Sequence, residues 1–462
     1  MRNGGSWSSR RLHFVGIGGA GMSGLALVAQ ALGARVTGSD RAESSYLERL
    51  RSRGIEPLIG HRAANVPAEA EVVYSTAIPA DNPEREAADR ELHRAELLAE
   101  IAALKRCLAV TGTHGKTTTA GMAVHALRGA GLDPAYVIGG ELRCTGSNAG
   151  WGEGDWIVVE ADESDRSLLK LDPEIAVLTN AELDHHATYS SRLELAQTFR
   201  EFMSRAGERA VVWDRPWPRS LCPADAVPYD APGPRLTVGG SRFRWRGLEV
   251  ELAVPGAHNA VNAAGALTAC LLAGADPERA ARALLGFRGA KRRLERLGET
   301  ATGVPVLDDY AHHPTEVGAA IAAARTLAPE RLVAVFQPHL YSRTRALGRE
   351  FGAALAAADV VVVVEVYAAR ERAEDFPGVG GRLIAGAAAE LGGGRLVAWL
   401  PNFEQAESFL RQTLRPGDLC LMMGAGDIDR LGRALVDVLA DDADADGADP
   451  TTARRPRISP RS

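Results

Sequence analysis

Paired cysteines are missing from this sequence. Five cysteines occur in 462 residues, Cys107, Cys144, Cys222, Cys270 and Cys420, and no two form a C-x-x-C pair. That scatter argues against a zinc site and against a disulfide framework, and points to a reducing compartment. A basic surplus is missing too: the net charge is -6. A nucleic-acid partner is therefore not expected. Residues 1–10 are polar and carry no apolar stretch of the kind a secretory signal needs. The most hydrophobic run, Val360 to Val364, has the length of a strand and is far too short to cross a bilayer. A cytoplasmic protein without membrane insertion is the expectation. What is present in quantity is apolar residue content, 46% over 462 positions. That is too much chain for one ordinary core and implies two or three domains.

Strand-like and helix-like segments alternate along the chain. Leu12 to Val15 leads into a glycine turn and a helical stretch from Met22 to Leu32. Strands follow at Arg35 to Gly38 and Val72 to Ser75, and a charged helix is expected around Arg85 to Leu104. A second series of strands comprises Leu108 to Val110, Trp156 to Glu160 and Ile175 to Thr179. Trp213 to Arg235, rich in Pro and Arg, reads as irregular, and Ala257 to Ala273 reads as a small-residue helix. A third series runs through Val304 to Leu307, Leu332 to Phe336, Val360 to Val366 and Leu419 to Met423. The pattern predicts α/β domains with parallel sheets over 10–106, 107–298 and 299–440. Residues 441–462 are acidic and then basic with almost no large apolar side chains, so a disordered tail is expected.

The richest motif is Gly112-Thr113-His114-Gly115-Lys116-Thr117-Thr118, set between a strand and a helix. Glycines let backbone N–H groups turn toward an anion, and the helix N-terminus adds partial positive charge. Lys116 would neutralise ATP phosphates and Thr117 would offer a hydroxyl to Mg²⁺. The loop is a shortened relative of the Walker pattern, with Val110 where that pattern has glycine. A chance glycine turn is the competing explanation. The first motif, Gly16-x-Gly18-x-x-Gly21 with Asp40 beyond it, fits a diphosphate against a helix N-terminus. With an ATP loop next door, a nucleotide sugar suits it better than NAD, though a dehydrogenase stays open. Glu160, at a strand end, is the candidate carboxylate for Mg²⁺. His185 follows Asp184 after another strand and could ligate a second ion or orient phosphate. Asn259 and Asn262 could read an adenine edge, or Asn259 could cap its helix. Lys291, Arg292 and Arg293 could reach phosphates across a cleft or be solvated. His312 and His313 are adjacent and would rarely share one ion, because successive side chains in extended backbone point apart. An arginine after Gln337-Pro338-His339 could clamp a carboxylate in bidentate fashion.

Seven ordered segments together resemble the Mur ligase family: GIGGAGMSG from Gly16, GTHGKTTT from Gly112, EADESD from Glu160, the Asp184-His185 pair, HNAVNA from His258, DDYAHHPTE from Asp308 and FQPH from Phe336. The first and sixth favour the branch that adds L-alanine to UDP-N-acetylmuramate. The resemblance implies a Rossmann-like N-terminal domain, a central P-loop-type ATPase domain and a C-terminal Rossmann-like domain that delivers the amino acid. It implies ATP and Mg²⁺, with UDP-sugar contacts at Gly16, Gly18, Gly19, Gly21, Met22, Ser23 and Asp40. It implies ATP contacts at Gly112 to Thr118, Asn259, Asn262 and Arg293, and a catalytic set of Lys116, Glu160 and His185. Thr117, Glu160 and His185 would hold metal, and His339 and Arg343 would form the amino-acid pocket. Four positions depart from the family's usual residues: Leu340 for arginine, Ala187 for an acid, Leu294 for phenylalanine and Glu365 for aspartate. A peptide-adding sister activity and a non-catalytic nucleotide-binding role are the remaining readings.

Overall fold

The computed structural model describes residues 7–184, 188–436 and 438–439. His185, the expected metal ligand, and the expected disordered tail 441–462 lie outside the described residues, as does Ala187.

Three sheets organise the chain. The first holds five parallel strands in the order Leu58–Ile59, Arg35–Asp40, Arg11–Val15, Glu71–Tyr74 and Arg90–His93. The second holds seven: Val227–Tyr229, Arg209–Trp213, Ile175–Leu178, Arg106–Thr111, Trp156–Glu160, Ala135–Leu142 and Ser147–Gly150. All are parallel except the last. The third begins with Leu396–Trp399, Val360–Val363, Arg331–Phe336, Asp418–Met423 and Pro305–Asp309, all parallel. Glu295–Glu299 and Val438–Leu439 close it antiparallel. A small antiparallel sheet, Arg235–Thr237, Gly240–Trp245 and Leu248–Leu252, leans on the central domain.

The apolar runs read as strands bury alternate residues on opposite faces. In the third sheet Leu332, Ala334 and Phe336 enter one core and Val333 and Val335 the other. In the central sheet Ala109 faces the core it shares with the first domain, while Leu108 and Val110 face the helices Lys116–Gly129 and Ala257–Leu272. Among the described residues no helix is long and apolar enough to cross a membrane.

Three sequence expectations change. Residues 85–104 are not one helix: Pro83–Glu86 is a single helical turn, Arg90–His93 is an edge strand, and only Arg94–Ala102 is a longer helix. An edge strand has one solvent-facing side, so a charged stretch can fill it. The stretch 213–235 carries more order than expected, with helix Pro216–Arg219 and edge strand Val227–Tyr229. Pro228 is tolerated there because an edge strand need not donate outward. Finally, Glu295–Glu299 pairs with Pro305–Asp309. The third sheet therefore starts before residue 299, and a boundary at 298 would cut one of its strands.

Candidate functional site

The phosphate-type loop sits where its sequence context requires, between strand Arg106–Thr111 and helix Lys116–Gly129. Two of its glycines have no substitute. Gly112 has φ +127°, and a Cβ there would lie 2.2 Å from Thr179 Oγ1. Gly115 caps the helix at φ +79°, and a Cβ would lie 2.6 Å from Asn262 Oδ1. Asn180 braces the loop from the neighbouring strand end: it accepts from the His114 N–H and donates to the His114 carbonyl, both at 2.9 Å. Thr113 Oγ1 donates to the Glu182 carbonyl at 2.8 Å.

Lys116 folds back on the loop. Its Nζ donates to the Gly112 carbonyl at 2.7 Å and lies 2.9 Å from Glu163 Oε2. Burial pulls its pKa down, but Glu163, Asp162 and Glu160 outweigh burial and hold it above the usual lysine range. The sequence had singled out Glu160 from the acidic run; Glu163 is the member that meets the lysine. Glu160 instead accepts from Thr117 Oγ1 at 2.9 and 3.0 Å and from the Gly139 N–H at 2.7 Å. Burial raises the Glu160 pKa despite Lys116 beside it. A half-buried carboxylate touching a hydroxyl is an all-oxygen donor set, the chemistry Mg²⁺ prefers. Thr117 and Glu160 therefore fit that ion.

A pocket of about 210 Å³ opens beside the loop. His114, Gly115, Thr118, Asn259, Asn262 and Arg293 line it together, although they come from three separate segments. The helix Ala257–Leu272 starts at Gly256, so Asn259 lies inside its first turn rather than at its cap, and its amide donates to the Pro255 carbonyl. The basic cluster divides. Lys291 pairs with Glu141 and Arg292 with Asp308, while Arg293 reaches the pocket.

The C-terminal domain closes the far wall. His114 Nδ1 lies 3.3 Å from Glu316 Oε1 and its Nε2 lies 3.4 Å from Glu182 Oε2. The rings of His114 and His313 stand 4.5 Å apart. Burial lowers the His114 pKa, but Glu316 and Glu182 reverse that and raise it to about 9. His312 turns the other way, toward Tyr310 and His339, so the adjacent histidines do diverge. Arg343 and His339 also meet, but the arginine is already engaged. Its Nε and Nη2 donate to Asp184 at 2.9 and 3.0 Å, and Nη1 donates to His339. Leu340, between them, is buried at φ +71° and donates its N–H to the Tyr367 carbonyl.

In the first domain, Gly16 and Gly18 form the turn and Gly19 caps helix Ala20–Ala31. The Gly18 N–H donates to Asp40 Oδ2 at 2.9 Å, which brings the acid to the glycine loop. Gly21 faces Arg94, which bridges to Asp165 of the central domain at 2.8 Å. Met22 and Ser23 turn inward: Met22 is core, and Ser23 Oγ bonds the Ala20 carbonyl. Their side chains do not face the loop opening.

Family comparison agrees with this layout. The model described as Mur ligase family, catalytic domain, matches residues 11–106, the Mur ligase middle domain matches 110–225, and the Mur ligase, glutamate ligase domain, matches 292–426. The chain belongs to the Mur ligase family. Two UDP-N-acetylmuramate–L-alanine ligases are close relatives of this Mur ligase. That of Rubrobacter xylanophilus is 45% identical over 92% of the chain and 99% of its own length. That of Streptomyces griseus is 44% identical, with coverage of 93% and 97%. A solved UDP-N-acetylmuramate–alanine ligase from Thermotoga maritima superposes with a TM-score of 0.79 at 28% identity, covering 92% of this Mur ligase and 98% of that chain.

Proposed function

We propose that this chain is an ATP-dependent ligase that joins L-alanine to the lactyl carboxylate of UDP-N-acetylmuramate, giving ADP and phosphate in peptidoglycan precursor synthesis. The observation that carries the reading is identity above 40% over nearly the whole length to relatives bearing that name. The assembled loop, carboxylate and pocket supply the chemistry. The sugar nucleotide's diphosphate would lie on the Gly16–Gly21 turn. The adenine of ATP would occupy the pocket at Asn259 and Asn262, with Arg293 at its edge and the phosphates along Gly112–Thr118.

The carboxylate attacks the γ-phosphate, and an acyl phosphate forms as ADP leaves. Lys116 and the loop N–H groups offset charge on the transferring group, the main form of catalysis open to phosphoryl transfer. Thr117 and Glu160 would hold Mg²⁺, with His185 as a further ligand by family resemblance; the ion neutralises phosphate charge when bound. The neutral amine of L-alanine then attacks the acyl carbon, the C–O bond to phosphate breaks as phosphate departs, and the nitrogen gives up one proton to water as the amide forms. Closure of the C-terminal domain over the loop excludes water from that intermediate.

The test is phosphate release from Mg-ATP with UDP-N-acetylmuramate, with and without L-alanine, glycine or L-serine. Release that needs both the sugar nucleotide and L-alanine is expected. Release with no single amino acid but with a peptide would move the chain to the peptide-adding branch. Lys116→Ala should abolish turnover and leave UDP-sugar binding intact; full activity in that variant would remove the assignment.

A further inference from the structure

We propose that Asp184 is a positioning residue: it receives Arg343 from the C-terminal domain and couples domain closure to the nucleotide site. The inference rests on the ligase reading above. It gives Arg343 a different task from holding the amino-acid carboxylate.

A guanidinium has five N–H donors in a fixed fork. Four are in use on Arg343. Nε–H and one Nη2–H meet the two Asp184 oxygens at 2.9 and 3.0 Å, and both Nη1–H groups meet His339, at Nδ1 and at the carbonyl, at 3.1 and 3.2 Å. Among the described residues one N–H is left over. A second carboxylate could be forked at Nη1 and that remaining Nη2–H only by breaking the contacts to His339.

The pair also spans a domain junction. Arg343 lies on helix Tyr341–Leu355 of the third domain, and Asp184 lies beyond strand Ile175–Leu178 of the central one. Both side chains are about 3% exposed. An ion pair so deeply buried is costly to leave half made, because an unpaired charge would sit without water. Opening the junction hydrates both groups, so the pair can form only on closure. The segment it grips, 180–184, is the one that braces the loop: Asn180 bonds His114, and Glu182 faces His114 and accepts from Thr315 Oγ1 at 2.6 Å. When the third domain arrives, Arg343 fixes the end of the segment whose start fixes the phosphate loop. Misplacement of reacting groups by 1 Å can cost about 10²-fold.

The test is steady-state kinetics on full-length Asp184→Asn and Arg343→Lys, each with a thermal melt and with small-angle scattering in the presence of ADP and the sugar nucleotide. Asp184→Asn should melt like the wild type within a few degrees. Its kcat should fall by about 30- to 100-fold, its KM for L-alanine should change by less than about 3-fold, and its radius of gyration should stay at the open value. Arg343→Lys should share that kinetic pattern. A KM for L-alanine raised in Arg343→Lys with Asp184→Asn unaffected would overturn the proposal and restore the carboxylate clamp. Wild-type kinetics and wild-type closure in Asp184→Asn would overturn it as well. If the wild type itself does not use L-alanine, the ligase reading fails; scattering then decides alone, with a wild-type compaction absent from Asp184→Asn expected and equal compaction overturning the coupling.

Discussion

At the residue scale the site is a set of opposite charges drawn from distant positions. Lys116 meets Glu163, His114 meets Glu182 and Glu316, and Arg343 meets Asp184. The His114 group gives a prediction about pH. Its folded pKa of about 9 stands above the ordinary 6.5 because two carboxylates favour the imidazolium. A raised pKa means that the folded state holds the proton longer. The stabilisation is complete below pH 6.5 and is lost as pH rises through about 9. Glu182 is pulled down to about 2 by His114 and Thr315, so the acid side of the junction survives until far below neutral pH. Asp308 and Asp309, pushed up by burial to about 7 and about 6, slope the same way at lower pH. Comparison with His114→Asn separates them. Wild-type melting temperature should fall between pH 6.5 and 9, and the variant's should be flatter over that window. Parallel curves would exclude the pairing of His114 with Glu182 and Glu316 as the source. None of these partnerships was legible in the sequence. The residues of a pair stand as many as 202 positions apart, as His114 and Glu316 do, and no local pattern signals which carboxylate a lysine will find. The residue types could be singled out: the Gly-Lys-Thr turn, the acid at a strand end and the paired asparagines are what phosphate, metal and adenine would require, and the structure gathers them around one loop.

At the element scale, strands that run straight into a glycine turn or a carboxylate were legible, because apolar content and the terminating residue speak together. Trp156–Glu160 is found where the sequence places it, and Arg106–Thr111 reaches one or two residues beyond the expected run. Edge strands were not. Arg90–His93 carries charge because half of it meets water, and Val227–Tyr229 carries a proline that an interior strand would reject. The small-residue helix Ala257–Leu272 shows why its composition matters. Gly265 faces the ring of buried Tyr229, and a Cβ there would approach ring atoms to 2.8–2.9 Å. Tyr229 cannot swing away cheaply, since its hydroxyl reaches the Leu178 carbonyl. Gly265→Val should cost about 1–3 kcal/mol through overpacking. Trp245 bonds Thr268 on the same helix, so urea unfolding followed by tryptophan fluorescence reports on this core. An unchanged midpoint would mean that the helix has room the structure does not show.

At the scale of the whole molecule, the first domain, the central domain and the passage to the third meet on one carboxylate. Glu141 ends the central strand Ala135–Leu142 and is buried. Arg49, on helix Ser45–Ser52 of the first domain, bonds its Oε2, and Lys291, where the chain passes to the third domain, lies 3.0 Å from its Oε1. Backbone contacts run alongside: Lys291 N–H to the Glu141 carbonyl at 2.8 Å, and Arg143 N–H to the Gly289 carbonyl at 3.1 Å. The two cations are not equivalent. Lys291 is half exposed and gains little from a pair that water screens. Arg49 is only 15% exposed, and burial already lowers its pKa. Among the described residues its Nη1 has no hydrogen-bond partner, so Glu141, at Nη2, is what makes the guanidinium tolerable there. Removing that carboxylate should therefore loosen the first domain far more than the third. Glu141→Gln should raise the KM for the sugar nucleotide by roughly 10-fold, the scale of one charge-assisted hydrogen bond lost, and leave the KM for ATP within about 2-fold. Arg49→Met should recover part of the loss in the Glu141→Gln background, because it takes away the stranded charge. Equal effects on both substrates would instead make Glu141 a support of the central sheet, with no part in holding the sugar-nucleotide domain.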